Sequence, residues 1–122
     1  MPFVLVVDDD EPTGDALRRL LGKMGYTAQW ASSGDAALAT LQNAMPDLIV
    51  LDWMMPGMNG LEVLRRLRAD PTTQAVPVIV YTAASSPAVA QLASAQGAQD
   101  CVLKSGGFFP LFHSIQRHVP TQ

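Results

Sequence analysis

The chain has 122 residues, 48% of them apolar and 16% charged, which suits one compact domain and excludes disordered and fibrous classes. A net charge of −3 without a Lys/Arg block argues against direct nucleic-acid binding, and no apolar run approaches the ~18 residues of a membrane helix. A single cysteine, Cys101, excludes an internal disulfide, and the start Met1-Pro2-Phe3 does not read as a leader, so a cytoplasmic protein is expected.

Val4 to Val7 is a short apolar run that stops at Asp8-Asp9-Asp10, the pattern of a strand covered on both faces. Leu17, Leu20, Leu21 and Met24 then recur at helical spacing opposite Arg18, Arg19 and Lys23, and Gly25 closes that helix. Thr27 to Ala31 is more polar and reads as an edge strand. Ser33 opens a second helix, with Asp35 in its first turn and Ala37, Leu38 and Leu41 facing inward until Pro46.

Leu48 to Leu51 is the third strand, ending at Asp52. Asn59 followed by Glu62 opens a helix that puts Val63, Leu64 and Leu67 on one face and stops at Asp70-Pro71. Val78 to Tyr81 is a fourth strand, ending at Thr82. Ser86-Pro87 begins a fourth helix that Gly97 terminates. Cys101 to Leu103 is the fifth strand, followed by Lys104, and Pro110 to His118 is a last helix presenting Phe112, Ile115 and Val119. Strand and helix alternate five times, which predicts an α/β fold with a parallel sheet and helices on both faces. One domain is expected over 1–122, with 119–122 a tail or the start of a linker.

Ligands of open parallel sheets bind beyond the carboxyl ends of the strands. Those ends carry Asp8, Asp9 and Asp10, then Asp52, Thr82 and Lys104, which are far apart in sequence. Clustered carboxylates repel one another unless a cation sits among them, and Mg²⁺ takes hard oxygen ligands while keeping waters for a phosphate. With such a cation one carboxylate can attack phosphorus and form an acyl phosphate, while a lysine balances charge on the equatorial oxygens. Asp10 reads as a capping or surface residue, and Cys101 as a small buried hydrophobe.

The stretches VLVVDDD at 4–10, LIVLDWMMPGMNG at 48–60, VIVYTA at 78–83 and VLK at 102–104 resemble the receiver domain of bacterial response regulators, most of all the stand-alone chemotaxis type. The resemblance implies a flavodoxin-like doubly wound sheet of order 2-1-3-4-5, with its switch point between the first and third strands. It implies that Asp52 is the phosphoacceptor, that Asp9 ligates Mg²⁺ directly and Asp8 through water, and that Met54 offers its backbone carbonyl. Thr82 would follow the phosphoryl group and Lys104 would pair with it. Two positions depart from the family pattern: Cys101 stands where receivers carry Tyr or Phe, and Ser105 stands where proline follows the lysine in a cis peptide.

The expected function is thus a phosphorelay receiver, a signalling module rather than an enzyme, served by a sensor histidine kinase or a histidine phosphotransfer protein. The charge-free fourth helix, Ala88 to Gln96, with Phe108 and Phe109 near it, is expected to contact a downstream protein or a second copy. Two alternatives stay open: a docking module not controlled by phosphate, and a haloacid-dehalogenase-like phosphohydrolase with Asp8 as nucleophile.

Overall fold

The computed structural model describes residues 1–121; Gln122, in the expected tail, lies outside the described residues. Five strands alternate with five helices: β1 (Phe3–Val7), α1 (Glu11–Lys23), β2 (Thr27–Ala31), α2 (Gly34–Leu41), β3 (Leu48–Leu51), α3 (Gly60–Ala69), β4 (Val78–Thr82), α4 (Pro87–Ala95), β5 (Asp100–Leu103) and α5 (Phe108–His118). All the pairings are parallel and the strand order is β2-β1-β3-β4-β5, as expected.

Strand alternation divides the core into two layers. Leu5, Val7, Ile49, Leu51, Val78 and Val80 pack with Ala37 of α2, Val63, Leu64 and Leu67 of α3, and Ala93 of α4. Val4, Val6, Leu48, Val50, Ile79 and Tyr81 point the other way, onto Leu17 and Leu21 of α1 and Leu111 and Ile115 of α5. Burial on both faces explains why the central strands read as unbroken apolar runs, and edge strand β2 does not.

The helix starts follow the capping residues expected for them. Asp10, Ser33, Asn59 and Ser86 each accept a hydrogen bond from a first-turn amide, that of Thr13, Ala36, Glu62 and Ala88 respectively. Three details differ from the expectation. Met24 is exposed at the C-cap of α1 because the helix ends one residue earlier. Helix α5 begins at Phe108, two residues before Pro110, since proline is tolerated in a first turn whose amides have no intrahelical partner. Cys101 is only partly buried. A short 3₁₀ turn, Lys104–Gly106, joins β5 to α5, and no cis peptide occurs among the described residues, so Ser105 follows Lys104 in trans.

Candidate functional site

Adjacent parallel strands deliver Asp8, Asp9, Asp52, Thr82 and Lys104 to one rim of the sheet. The ladders run just past the strands: the Asp8 amide donates to the Ala31 carbonyl (3.1 Å) and the Asp52 amide to the Val7 carbonyl (2.9 Å). Carboxylate oxygens of Asp8, Asp9 and Asp52 lie within 4.8 Å of one another. Asp8 and Asp52 are 2% and 5% exposed, whereas Asp9 is open to solvent.

Every oxygen of Asp8 is held. Oδ1 accepts from the Asp10 amide (2.9 Å), Oδ2 accepts from Lys104 Nζ (2.8 Å), and the Trp30 indole N–H donates to its carbonyl (2.8 Å). Lys104 Nζ also lies 3.6 Å from Asp52 Oδ2, and the Met54 amide donates to Asp52 Oδ1 at 3.3 Å. Thr82 is fully buried, its hydroxyl oxygen accepting from the Ala84 amide (3.1 Å). The Met54 side chain is 65% exposed beside this rim.

Charge crowding shows in the titration of these groups. Burial first, then the Asp8 charge, pushes the Asp52 carboxyl up to about 6, against the pull of Lys104 and the Met54 amide. For Lys104, burial works against the charge, but the hydrogen bond from Lys104 to Asp8 and the nearby Asp52 outweigh it, and its pKa is raised. Three carboxylates face one ammonium, so a divalent cation matches both the excess charge and the hard oxygen donors.

The sequence reading brought together all of these residues, and Asp10 caps α1 as it predicted. It missed Trp30, whose indole steadies the acidic turn, and Gly60. A Cβ on Gly60 would stand 2.5 Å from the Asp52 carbonyl oxygen and 2.7 Å from Trp53 Cα, so only glycine lets α3 start against the backbone of Asp52. The glycine that closes the motif at 48–60 was the available signal. Trp30 gave none, because an edge-strand tryptophan reads as ordinary packing.

Cys101 has no features of a reactive thiol, because burial and the neighbouring Asp100 push its pKa up. A cavity of about 610 Å³ lined by Leu38, Leu41, Met45, Arg66, Leu67 and Thr73 lies at the far end of α3 from Asp52. It shares no residue with the acidic rim.

A five-stranded parallel sheet of this order with acids and a lysine on its carboxyl rim defines a class, and the chain belongs to it: the response regulator receiver domain family, whose model matches residues 4–116. Receiver domains are signalling modules that bind Mg²⁺ and interact with histidine kinases. Among curated relatives, the phosphate regulon transcriptional regulatory protein PhoB of Rhizobium meliloti is 39% identical over 104 residues, covering 85% of this chain and 46% of that protein. The chain thus spans less than half the length of the first curated relatives it matches. Chemotaxis protein CheY4 of Vibrio cholerae superimposes with a TM-score of 0.91 at 31% identity, covering 98% of this chain and 99% of that one. Response regulator TrrA of Thermotoga maritima, solved in complex with Mg²⁺-BeF, gives 0.86 at 31% identity, covering 98% of this chain and 100% of that one. Among the described residues no helix is long and apolar enough to cross a membrane.

Proposed function

We propose that the chain is the phosphoacceptor of a two-component phosphorelay, taking a phosphoryl group on Asp52 with Mg²⁺ and switching a protein-interaction surface. The observation that carries this reading is the convergence of Asp8, Asp9 and Asp52 with Lys104 on one rim. Asp9, Asp52 and the Met54 carbonyl would hold the cation directly and Asp8 through water. Bound there, Mg²⁺ offsets charge on the transferring phosphoryl oxygens.

A carboxylate oxygen of Asp52 attacks phosphorus, the bond from phosphorus to the donor breaks, and the donor leaving group keeps the electron pair. A kinase or phosphotransfer-protein histidine fits as donor. Lys104 supplies an ammonium 3.6 Å from the Asp52 oxygen that becomes the linkage or its neighbour. Thr82 supplies a hydroxyl at the end of the adjacent strand: its oxygen accepts from the Ala84 amide, and its O–H would donate to a phosphoryl oxygen. A donor of this kind would act in the cytoplasm, and the domain would transfer phosphoryl only to itself.

The output surface in this reading is the side formed by α4, β5 and α5. All of α4 except Ala93 and Val89 is exposed, and Leu92, Leu103 and Phe109 are 39%, 39% and 68% exposed. An uncharged helix beside these apolar groups suits a downstream protein or a second copy, not nucleic acid. The phosphohydrolase alternative loses its support, because the sheet order and the family match over residues 4–116 are those of a receiver domain. A second reading, docking without phosphate control, keeps support from Cys101 in the place of the family's aromatic ring.

Incubation with Mg²⁺ and a small acyl-phosphate donor, read by intact mass, tests the proposal. A phosphoryl adduct on the wild type that is absent from Asp52→Asn supports it. A folded wild type that never gains the adduct favours docking alone.

A further inference from the structure

Tyr81 immediately precedes Thr82 on β4 and points into the layer shared with α1 and α5. Lys104 Nζ stands over its ring, 6.0 Å from the centroid, within the range of a cation–π contact. Its hydroxyl donates to the Gly107 carbonyl at 3.2 Å, and the Gly107 amide donates to the Lys104 carbonyl at 3.1 Å. The three contacts close a ring that joins the Lys104 ammonium, the phenol and the turn between β5 and α5.

That turn has little else to hold it. Gly107 takes φ 81°, a conformation that glycine adopts freely, and α5 starts there without a side-chain cap. The other end of α5 is fastened separately, by Tyr26, whose hydroxyl donates to the Val119 carbonyl at 2.6 Å. Two tyrosines therefore pin the two ends of α5, and only Tyr81 also touches a residue of the acidic rim.

We propose that Tyr81 is the positioning residue through which phosphorylation of Asp52 reaches the start of α5, by linking the Lys104 ammonium to the Gly107 carbonyl. This rests on Asp52 being the phosphoacceptor. The acyl phosphate carries about −1.5 to −2 charges in place of the single carboxylate charge of Asp52, spread over three outward oxygens, and draws Lys104 from its 2.8 Å bond with Asp8. The ammonium then leaves its place over the ring, the Lys104–Gly106 turn follows its side chain, and the hold of the phenol on Gly107 changes. Phe109, 68% exposed in the first turn of α5, is the apolar group that this movement re-aims.

The test compares wild type with Tyr81→Phe, which keeps the ring and removes the hydroxyl. Each is charged with Mg²⁺ and a small acyl phosphate, scored for adduct by intact mass, and followed by amide hydrogen exchange at Leu111 and Phe112. In the wild type phosphorylation changes exchange there by at least about threefold; Tyr81→Phe gains the same adduct and loses most of that change. Equal adduct with an equal exchange response in both proteins overturns the inference and leaves the phosphoacceptor reading standing. No adduct on the wild type overturns both. A second reading needs no variant: with Mg²⁺ and beryllofluoride, ¹³C-tyrosine spectra of the wild type shift the Tyr81 ring and leave Tyr26 in place. Unmoved Tyr81 resonances on a protein that binds beryllofluoride likewise overturn the inference.

Discussion

Lys104 Nζ lies 2.8 Å from Asp8 Oδ2 although 96 positions separate the two residues in the chain. This pairing takes the shortest bond of the ammonium and leaves Asp52 at 3.6 Å with weaker compensation. Burial and the Asp8 charge consequently hold the Asp52 carboxyl at about 6 instead of 3.8. The carboxylates of this rim are therefore poised to bind a cation or a proton.

The first prediction follows from the sign of that shift. Between pH 3.8 and about 6 the folded chain keeps a proton on Asp52 that the unfolded chain has released. The associated stability is fully present below the lower value and is lost as pH rises through the upper one. Without metal, Asp52→Asn is expected to stabilise the fold by about 1–3 kcal/mol near pH 7.5 and by little near pH 4. Urea unfolding at the two pH values measures the difference; the same gain at both would contradict the assignment of strain to this carboxylate. Saturating Mg²⁺ should narrow or reverse the gap, because it binds the native wild-type site more tightly.

A second prediction concerns two glycines of α1 that look alike in sequence. A Cβ at Gly14 would run into the Trp30 indole, whereas one at Gly22 meets nothing within 4 Å. Gly22→Ala should stabilise by about 0.5–1 kcal/mol through helix propensity. Gly14→Ala gains the same propensity but must displace a packed indole, so a net loss of about 1–2 kcal/mol is expected. Thermal or denaturant unfolding of both variants reads the opposite signs.

The contrast between those glycines marks the limit of legibility in this chain. Strand runs such as Leu48 to Leu51 and caps such as Asp10 and Asn59 are local signals, and they carried the fold. Asp8, Asp9, Asp52 and Lys104 were legible as a site because parallel strands all end on one rim and residue type restricts what that rim can do. Contacts such as Trp30 on Asp8, Tyr81 on Gly107 and Gly60 on Asp52 depend on how helices seat on the sheet. Residue spacing encodes none of those distances. The start of α5 was misplaced for a related reason: Pro110 suggested a first residue, while the cap is Gly107, which lacks a side chain to announce it.

A third prediction separates two arginines of α3. Arg68 is partly buried and donates to the Gly97 carbonyl at 2.8 and 3.2 Å, to the Gln74 carbonyl at 3.2 Å and to Gln99 Oε1 at 3.2 Å. It joins α3 to the turns before β4 and after α4. Arg66 makes one exposed pair with Glu62 at 3.2 Å. Arg68→Ala should cost about 2 kcal/mol, since several carbonyls lose a charged donor together, whereas Arg66→Ala should cost under about 0.5 kcal/mol. Denaturation midpoints at equal m-value test the ranking, and parity between the two would show that Arg68 does not clamp these turns.

Trp30 supplies the last prediction. Its indole N–H bonds the Asp8 carbonyl at 2.8 Å while its ring rests against Gly14, so one side chain braces the acidic turn against α1. Trp30→Phe keeps most of the apolar contact and removes the donor, and the expected stability loss is about 1 kcal/mol. Looser placement of Asp8 and Asp9 should weaken Mg²⁺ binding by about tenfold, the lower end of effects seen when partners of metal ligands are removed. Trp53, beside Asp52, remains as a fluorescent reporter of metal in that variant. Titration with Mg²⁺ at fixed ionic strength measures the change. If the variant unfolds about 1 kcal/mol more easily yet binds Mg²⁺ as the wild type does, Trp30 braces the fold and not the acidic turn.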